Sequence, residues 1–116
     1  MTLYGIKNCN TVKKALEWLQ KNDVEIEFHD FKTKGVTEAK LKSWSKQVGW
    51  ESLVNKRGTT WRLLERDVQE IITNERAAIA LMKEKTSVIK RPIIEKDGKV
   101  LTLGFDEQDY KAIFRN

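Results

Sequence analysis

One side chain in this sequence stands out as a candidate for covalent chemistry. Cys9 is the only cysteine among 116 residues, and it sits in the stretch LYGIKNCNTVKKALEWL, residues 3–19. A lone thiol has two ordinary fates. Most free cysteines are buried and act as small inert hydrophobes. A thiol at the first turn of a helix is different, because outward-pointing backbone N–H groups and the positive end of the helix dipole favour the thiolate. Cys9 has polar neighbours in Lys7, Asn8 and Asn10, and cations nearby in sequence in Lys7, Lys13 and Lys14. Such surroundings lower a thiol pKa from about 8.5 into the range of roughly 3.5–7.5. The pattern therefore points to a reactive thiolate. It cannot close an internal disulfide, and with a single histidine, His29, the chain offers no zinc cluster.

A second candidate is SVIKRPII, residues 87–94, which holds the only proline, Pro92, directly after Arg91. Two readings of Pro92 stand side by side: a proline opening a strand, or a cis Arg91–Pro92 bond that sets backbone polar groups beside the thiol.

These residues need elements to position them. Thr2 to Ile6 is strand-prone, and a loop follows over Lys7 to Asn10. From Thr11 the period changes: Val12, Ala15, Leu16 and Leu19 form the stripe of an amphipathic helix. Val24, Ile26 and Phe28 then alternate with Glu25 and Glu27, which predicts a half-buried strand. A strand, helix and strand in some thirty residues implies parallel neighbours joined by a right-handed crossover. The middle is helical. Thr37 can cap a helix carrying Leu41, Trp44 and Val48 and ended by Gly49; a short helix is expected near Arg66 to Ile72. Thr73 or Asn74 can cap another, with Ala77, Ala80 and Leu81 inward. The end returns to strands, where Asp97-Gly98 between two β-prone runs signals a hairpin. Asp106 then caps a last helix with Tyr110, Ile113 and Phe114 on its apolar face. The whole predicts one domain over residues 1–116, βαβ then ββα, with a helical insertion at about 35–88.

Composition sets outer limits. Hydrophobic residues at 40% and charged residues at 34% fit a globular chain rather than a disordered one. No apolar run approaches membrane-spanning length, and the start reads as a strand, not a signal peptide, so a cytoplasmic protein without membrane partners is expected. The net charge of +5 is spread among acidic residues without a dense basic cluster. That favours a solvated surface, or a small anionic substrate, over a nucleic-acid footprint.

Residues 1–19 with Cys9, NKRGTTWR at 55–62, IALM at 79–82 and IKRPII at 89–94 resemble the ArsC/Spx/YffB family of thioredoxin-fold proteins, and the YffB branch most closely. The resemblance runs along nearly the whole chain. It implies a thioredoxin-like α/β fold with a mixed four-stranded sheet in order 2-1-3-4 and the helical insertion between strands two and three. It also implies Cys9 as catalytic thiol, with Arg91 beside it and a cis Pro92. Arsenate reductases of the family hold their oxyanion with three arginines. Here Asn55 stands where one is expected, with Arg57 two places on, and another falls at about Gly104. Spx regulators carry Cys-x-x-Cys, whereas this chain has Cys9-Asn10-Thr11-Val12. The departures leave the YffB-like expectation, a monothiol reductase with glutathione as co-substrate and no metal. In that reading Lys7 meets a glutathione carboxylate, Arg91 stabilises the thiolate or a second carboxylate, Asn8 and Thr11 donate to the sulfur, Pro92 frees adjacent backbone to pair with the tripeptide, and Arg57 lies near the site. Lys7 and Thr11 fit loop surface and helix cap equally well. Arg62 is read as structural, His29 as a strand residue, and Trp18, Trp44, Trp50 and Trp61 as packing. The oxidised thiol or oxyanion substrate is left open, and glutaredoxin is a candidate partner. Alternative readings are an Spx-like regulator that binds RNA polymerase, and an arsenate reductase.

Overall fold

The computed structural model describes residues 1–114. The chain forms two compact units: Met1–Lys34 with the chain from Arg91 onward, and Gly35–Lys90 between them in sequence.

The first unit opens with β1 (Thr2–Gly5), α1 (Asn10–Lys21), β2 (Glu27–Asp30) and the short α2 (Phe31–Lys34). In α1 the predicted stripe is observed: Val12, Ala15 and Leu19 are buried and Leu16 is half-buried. Asn22 ends the helix, its side chain donating to the Trp18 carbonyl at 2.8 Å. Asp23 follows in the left-handed region at φ 57°. The strand expected from Val24 begins only at Glu27. The reason lies in its partner. β1 pairs β2 in parallel from Thr2↔Glu27 to Gly5↔Asp30, so only four residues of β2 find a ladder. Val24 and Ile26 precede that ladder and still pack half-buried against the core.

The second unit is the helical segment. It contains α3 (Glu38–Val48), α4 (Trp50–Leu53), α5 (Thr59–Arg62), α6 (Arg66–Glu70), α7 (Glu75–Glu84) and a 3-10 turn (Thr86–Val88). Thr37 Oγ1 accepts the Lys40 N–H at 3.1 Å, and Asn74 Oδ1 accepts the Ala77 N–H at 2.9 Å, so both expected caps form. Gly49 ends α3 at φ 86°, a value other residues rarely adopt. Within α7 the inward face differs from expectation. Ala78, Ile79, Leu81 and Met82 are buried, while Ala80 is exposed and Ala77 half-buried. Rotating the helix by one position buries Ile79 and Met82, which remove far more apolar surface from water than two alanines. Ser45 Oγ donates to Glu75 Oε2 at 2.8 Å, tying α3 to the first turn of α7.

The first unit resumes with β3 (Ile93–Lys96), β4 (Lys99–Leu103) and α8 (Glu107–Ile113). The turn is Asp97-Gly98 with φ of 52° and 80°. Two left-handed central residues make the tight turn whose twist suits a hairpin. The four strands form one mixed sheet in the order β2-β1-β3-β4, with β1 antiparallel to β3 and parallel to β2. This is the thioredoxin-like order. A register shift between Ile94 and Glu95 leaves Leu101 as an extra residue in β4.

The core of this unit gathers Leu3 and Ile94 from the sheet, Val12, Ala15 and Leu19 from α1, and Tyr110 from α8. Asp106 Oδ1 caps α8 by accepting the Asp109 N–H at 3.1 Å. Of the apolar face foreseen for α8, Tyr110 is buried and Phe114 half-buried, but Ile113 is 39% exposed. The helix is only two turns long, and Tyr110 occupies the one position that faces the core squarely. Leu19 has no exposed surface. Leu19→Ala is expected to lower unfolding free energy by about 2–5 kcal/mol, the usual range for truncating a buried leucine. A urea denaturation midpoint shifted downward at unchanged slope is the result that checks it.

Candidate functional site around Cys9

The path to the thiol is set by close packing. β1 ends at Gly5, where an added Cβ would lie 2.8 Å from Val12 Cγ2. Glycine is therefore what lets the strand end approach the first turn of α1. Ile6 is buried and anchors the chain, and Lys7 and Asn8 turn outward. Cys9 is half-buried with extended backbone, φ −131° and ψ 122°, and is the N-cap residue of α1. The helix starts one residue earlier than the apolar stripe indicates. This places Thr11 and Val12 at the second and third helical positions, whose N–H groups have no intrahelical acceptor. Cys9 makes no regular capping hydrogen bond. What these amides provide is attraction that favours the ionised sulfur.

The balance of forces holds the Cys9 thiol below its ordinary pKa. Partial burial works against ionisation. The Val12 N–H favours the anion most strongly, followed by a hydrogen bond from the Arg91 side chain, the charge of Arg91, and the Thr11 N–H, and together these outweigh burial, the largest single influence. The arrangement favours the thiolate over the thiol at a half-buried sulfur with a guanidinium beside it. Such a sulfur can attack a disulfide or another oxidised centre at neutral pH.

Arg91 is half-buried, and the Arg91–Pro92 bond is cis. The Pro92 carbonyl accepts the Gly104 N–H at 2.7 Å, so that carbonyl is already engaged. The family resemblance implied Arg91 beside Cys9, and the sheet order is what brings their distant segments together. Lys7, Lys13 and Lys14, the cations adjacent in sequence, are exposed and take no part in holding the thiolate. Thr11 favours the anion through its backbone N–H, and Asn8 is exposed. Val12 is the donor that sequence reasoning missed. Placing the helix start at Thr11 concealed it, whereas reading Cys9 as N-cap would have found it.

Arg57 lies in the Gly35–Lys90 unit, exposed on a fixed turn. Its N–H donates to Asn55 Oδ1 at 3.2 Å, and its carbonyl accepts from Arg62 Nη2 at 2.6 Å. Arg62 thus has the structural part expected of it. His29 sits half-buried on β2 with its ring 4.8 Å from that of Tyr4. Trp44 and Trp61 are buried, and Trp18 packs edge-on against Tyr110 at 5.5 Å, as packing residues should.

A family model described as the ArsC family matches residues 4–113. The chain belongs to the ArsC family. Among family relatives, an uncharacterised protein of Haemophilus influenzae is 46% identical over 114 residues, covering 98% of both chains. The global transcriptional regulator Spx of Streptococcus mutans is 30% identical, covering 97% of this chain and 81% of its own. Among solved structures, the YFFB protein superposes with a TM-score of 0.89 at 39% identity, covering 97% of this chain and 96% of that one. The YFFB superposition agrees with the thioredoxin-like sheet order observed here.

Proposed function

We propose that this ArsC-family chain is a thiol-dependent reductase that works through mixed disulfides on its single nucleophile, Cys9, and is resolved by glutathione. The observation that carries the reading is the half-exposed Cys9 thiol held below its ordinary pKa with Arg91 as its cationic partner. The Cys9 thiolate attacks one sulfur of a substrate disulfide, and the other sulfur leaves as a thiolate. A glutathione thiolate displaces the bound half from Cys9, and a second glutathione completes the exchange. Overall, one disulfide and two glutathione molecules give two thiols and one glutathione disulfide, so electrons and protons balance. An external thiol is required because position 12, three residues after Cys9, is valine rather than a resolving cysteine.

In this reading Arg91 steadies the thiolate before attack and again as leaving group. Lys7 is an exposed cation suited to a glutathione carboxylate. Asn8 and Thr11 complete the binding set through polar contacts, and the cis Arg91–Pro92 bond presents the adjacent backbone to the tripeptide. Glutaredoxin is a partner that could take glutathione from Cys9 in place of the second glutathione. The test is intact mass after incubation with oxidised glutathione. One glutathione per chain, mapped to Cys9 and removed by reduced glutathione, is expected. Its absence at neutral pH would count against the proposal.

The Spx relative, matched over 97% of this chain, favours a second reading as a binding module for RNA polymerase or another protein. Capture from lysate with wild-type protein and Cys9→Ser separates the two. Equal capture by both, with no glutathione adduct, selects the module. Arsenate reduction is assayed with glutathione and glutaredoxin supplied.

A further inference from the structure

Gly104 is a junction. Its N–H donates to the Pro92 carbonyl at 2.7 Å, and its own carbonyl accepts the Tyr110 hydroxyl at 3.0 Å. Its φ is 77°, in the left-handed region where a side chain is disfavoured. The left-handed backbone favours glycine here, and its N–H and carbonyl each hold one of the two hydrogen bonds. One reaches α8, and the other reaches the residue next to Arg91.

The Tyr110 end of this relay is fixed. The residue has no exposed surface. Its ring meets Phe105 at 4.8 Å, Trp18 at 5.5 Å and Phe114 at 5.6 Å, all edge-on or steeply inclined. A ring clamped on these sides can place its hydroxyl in only one direction. Burial pushes the phenol far above its ordinary pKa, so it stays a donor throughout the working pH range. At the other end, Gly104 N–H to Pro92 extends the ladder one step beyond the Ile93↔Leu103 pair. That step fixes the peptide immediately after Pro92, and Arg91 is the residue immediately before.

We propose that Tyr110 is a positioning residue for Arg91, acting through the hydrogen-bonded node at Gly104 and the Pro92 carbonyl. The inference rests on the reading of Cys9 and Arg91 as a thiolate pair, and it assigns to α8 the task of holding the guanidinium where the sulfur needs it. Nothing in the α8 sequence announces this, since Tyr110 counts there only as an apolar face residue.

Tyr110→Phe keeps the ring and removes the donor. Two measurements follow: hydrogen exchange at the Gly104 amide, and the pH dependence of Cys9 alkylation by iodoacetamide. In the variant, Gly104 exchange is expected to accelerate roughly tenfold as the node loosens. The alkylation midpoint is expected to rise by about half a pH unit, a roughly threefold slower reaction below the midpoint. In an Arg91→Ala background Tyr110→Phe should add no further shift, because the residue acts through Arg91. A purely structural loss would lower thermal stability without moving the midpoint. An unchanged midpoint in Tyr110→Phe overturns the proposal, and so does an equal shift with Arg91 absent. If Tyr110→Phe does not fold, Gly104→Ala perturbs the same node with the phenol in place, and the same outcomes apply. A wild-type midpoint at or above the free-thiol value sinks the thiolate reading itself. Gly104 exchange then decides the hydrogen-bonded node alone: faster exchange in the variant upholds it, and unchanged exchange removes it.

Discussion

Cys9→Ser abolishes disulfide reduction supported by glutathione, by at least about a thousandfold, if the lone thiol carries the electrons. A serine hydroxyl is not ionised near neutrality and forms no disulfide, so no alternative route is open within the chain. The loss is expected without loss of the fold. Cys9 is half-exposed, and serine is a preferred N-cap residue that can accept from the same amides of α1. The check is a coupled assay that follows glutathione disulfide formation, run beside a thermal melt. A melt within a degree or two of wild type and turnover at background would place the chemistry on the sulfur. Residual turnover above background would move it elsewhere.

The second large effect concerns Arg91. Arg91→Ala removes both a hydrogen bond and a positive charge from the thiolate and leaves burial unopposed by either. The sign follows directly. The reactive species is the anion, and wild-type forces hold the thiol pKa down, so removing one of them moves the alkylation profile to higher pH. A rise of about one unit is the expected size for loss of a neighbouring opposite charge. Below the wild-type midpoint this gives a roughly tenfold slower reaction. Well above both midpoints the order reverses slightly, because a more basic thiolate is the stronger nucleophile. Arg91→Lys should fall between the two, since an ammonium restores charge without the guanidinium's planar fork. A profile that does not move in Arg91→Ala would leave the Val12 and Thr11 amides as the whole source of the depressed pKa.

The two substitutions test different links. Cys9→Ser asks whether sulfur chemistry is the function. Arg91→Ala asks whether the sheet brings a cation to that sulfur, which is a question about tertiary structure. Tyr110→Phe extends the second question one layer outward, into a helix whose local sequence contains no chemistry.

What the sequence determined by itself was local. The α1 stripe Val12, Ala15, Leu19 follows from helical spacing, and the Asp97-Gly98 turn follows from left-handed preference. Thr37, Asn74 and Asp106 act as caps because a short polar side chain beside an apolar stripe satisfies free amides. The thiol was legible for the same reason: one cysteine, polar neighbours and a helix start are all features of adjacent residues. The sheet order and the cis Arg91–Pro92 bond came from likeness to known proteins, and no spacing rule supplies either. What only the tertiary structure decided depended on partners distant along the chain. β2 is short because β1 offers four residues to pair with. The inward face of α7 was set by which side chains bury most, not by the alanines. The resemblance also implied Arg91 beside Cys9; the structure supplies the reason, since β3 lies beside β1 and carries the residue before Pro92 to the start of α1. Spacing along a chain fixes which residues share a face; the pairing of strands fixes which faces meet, and charge acts across that second, spatial distance.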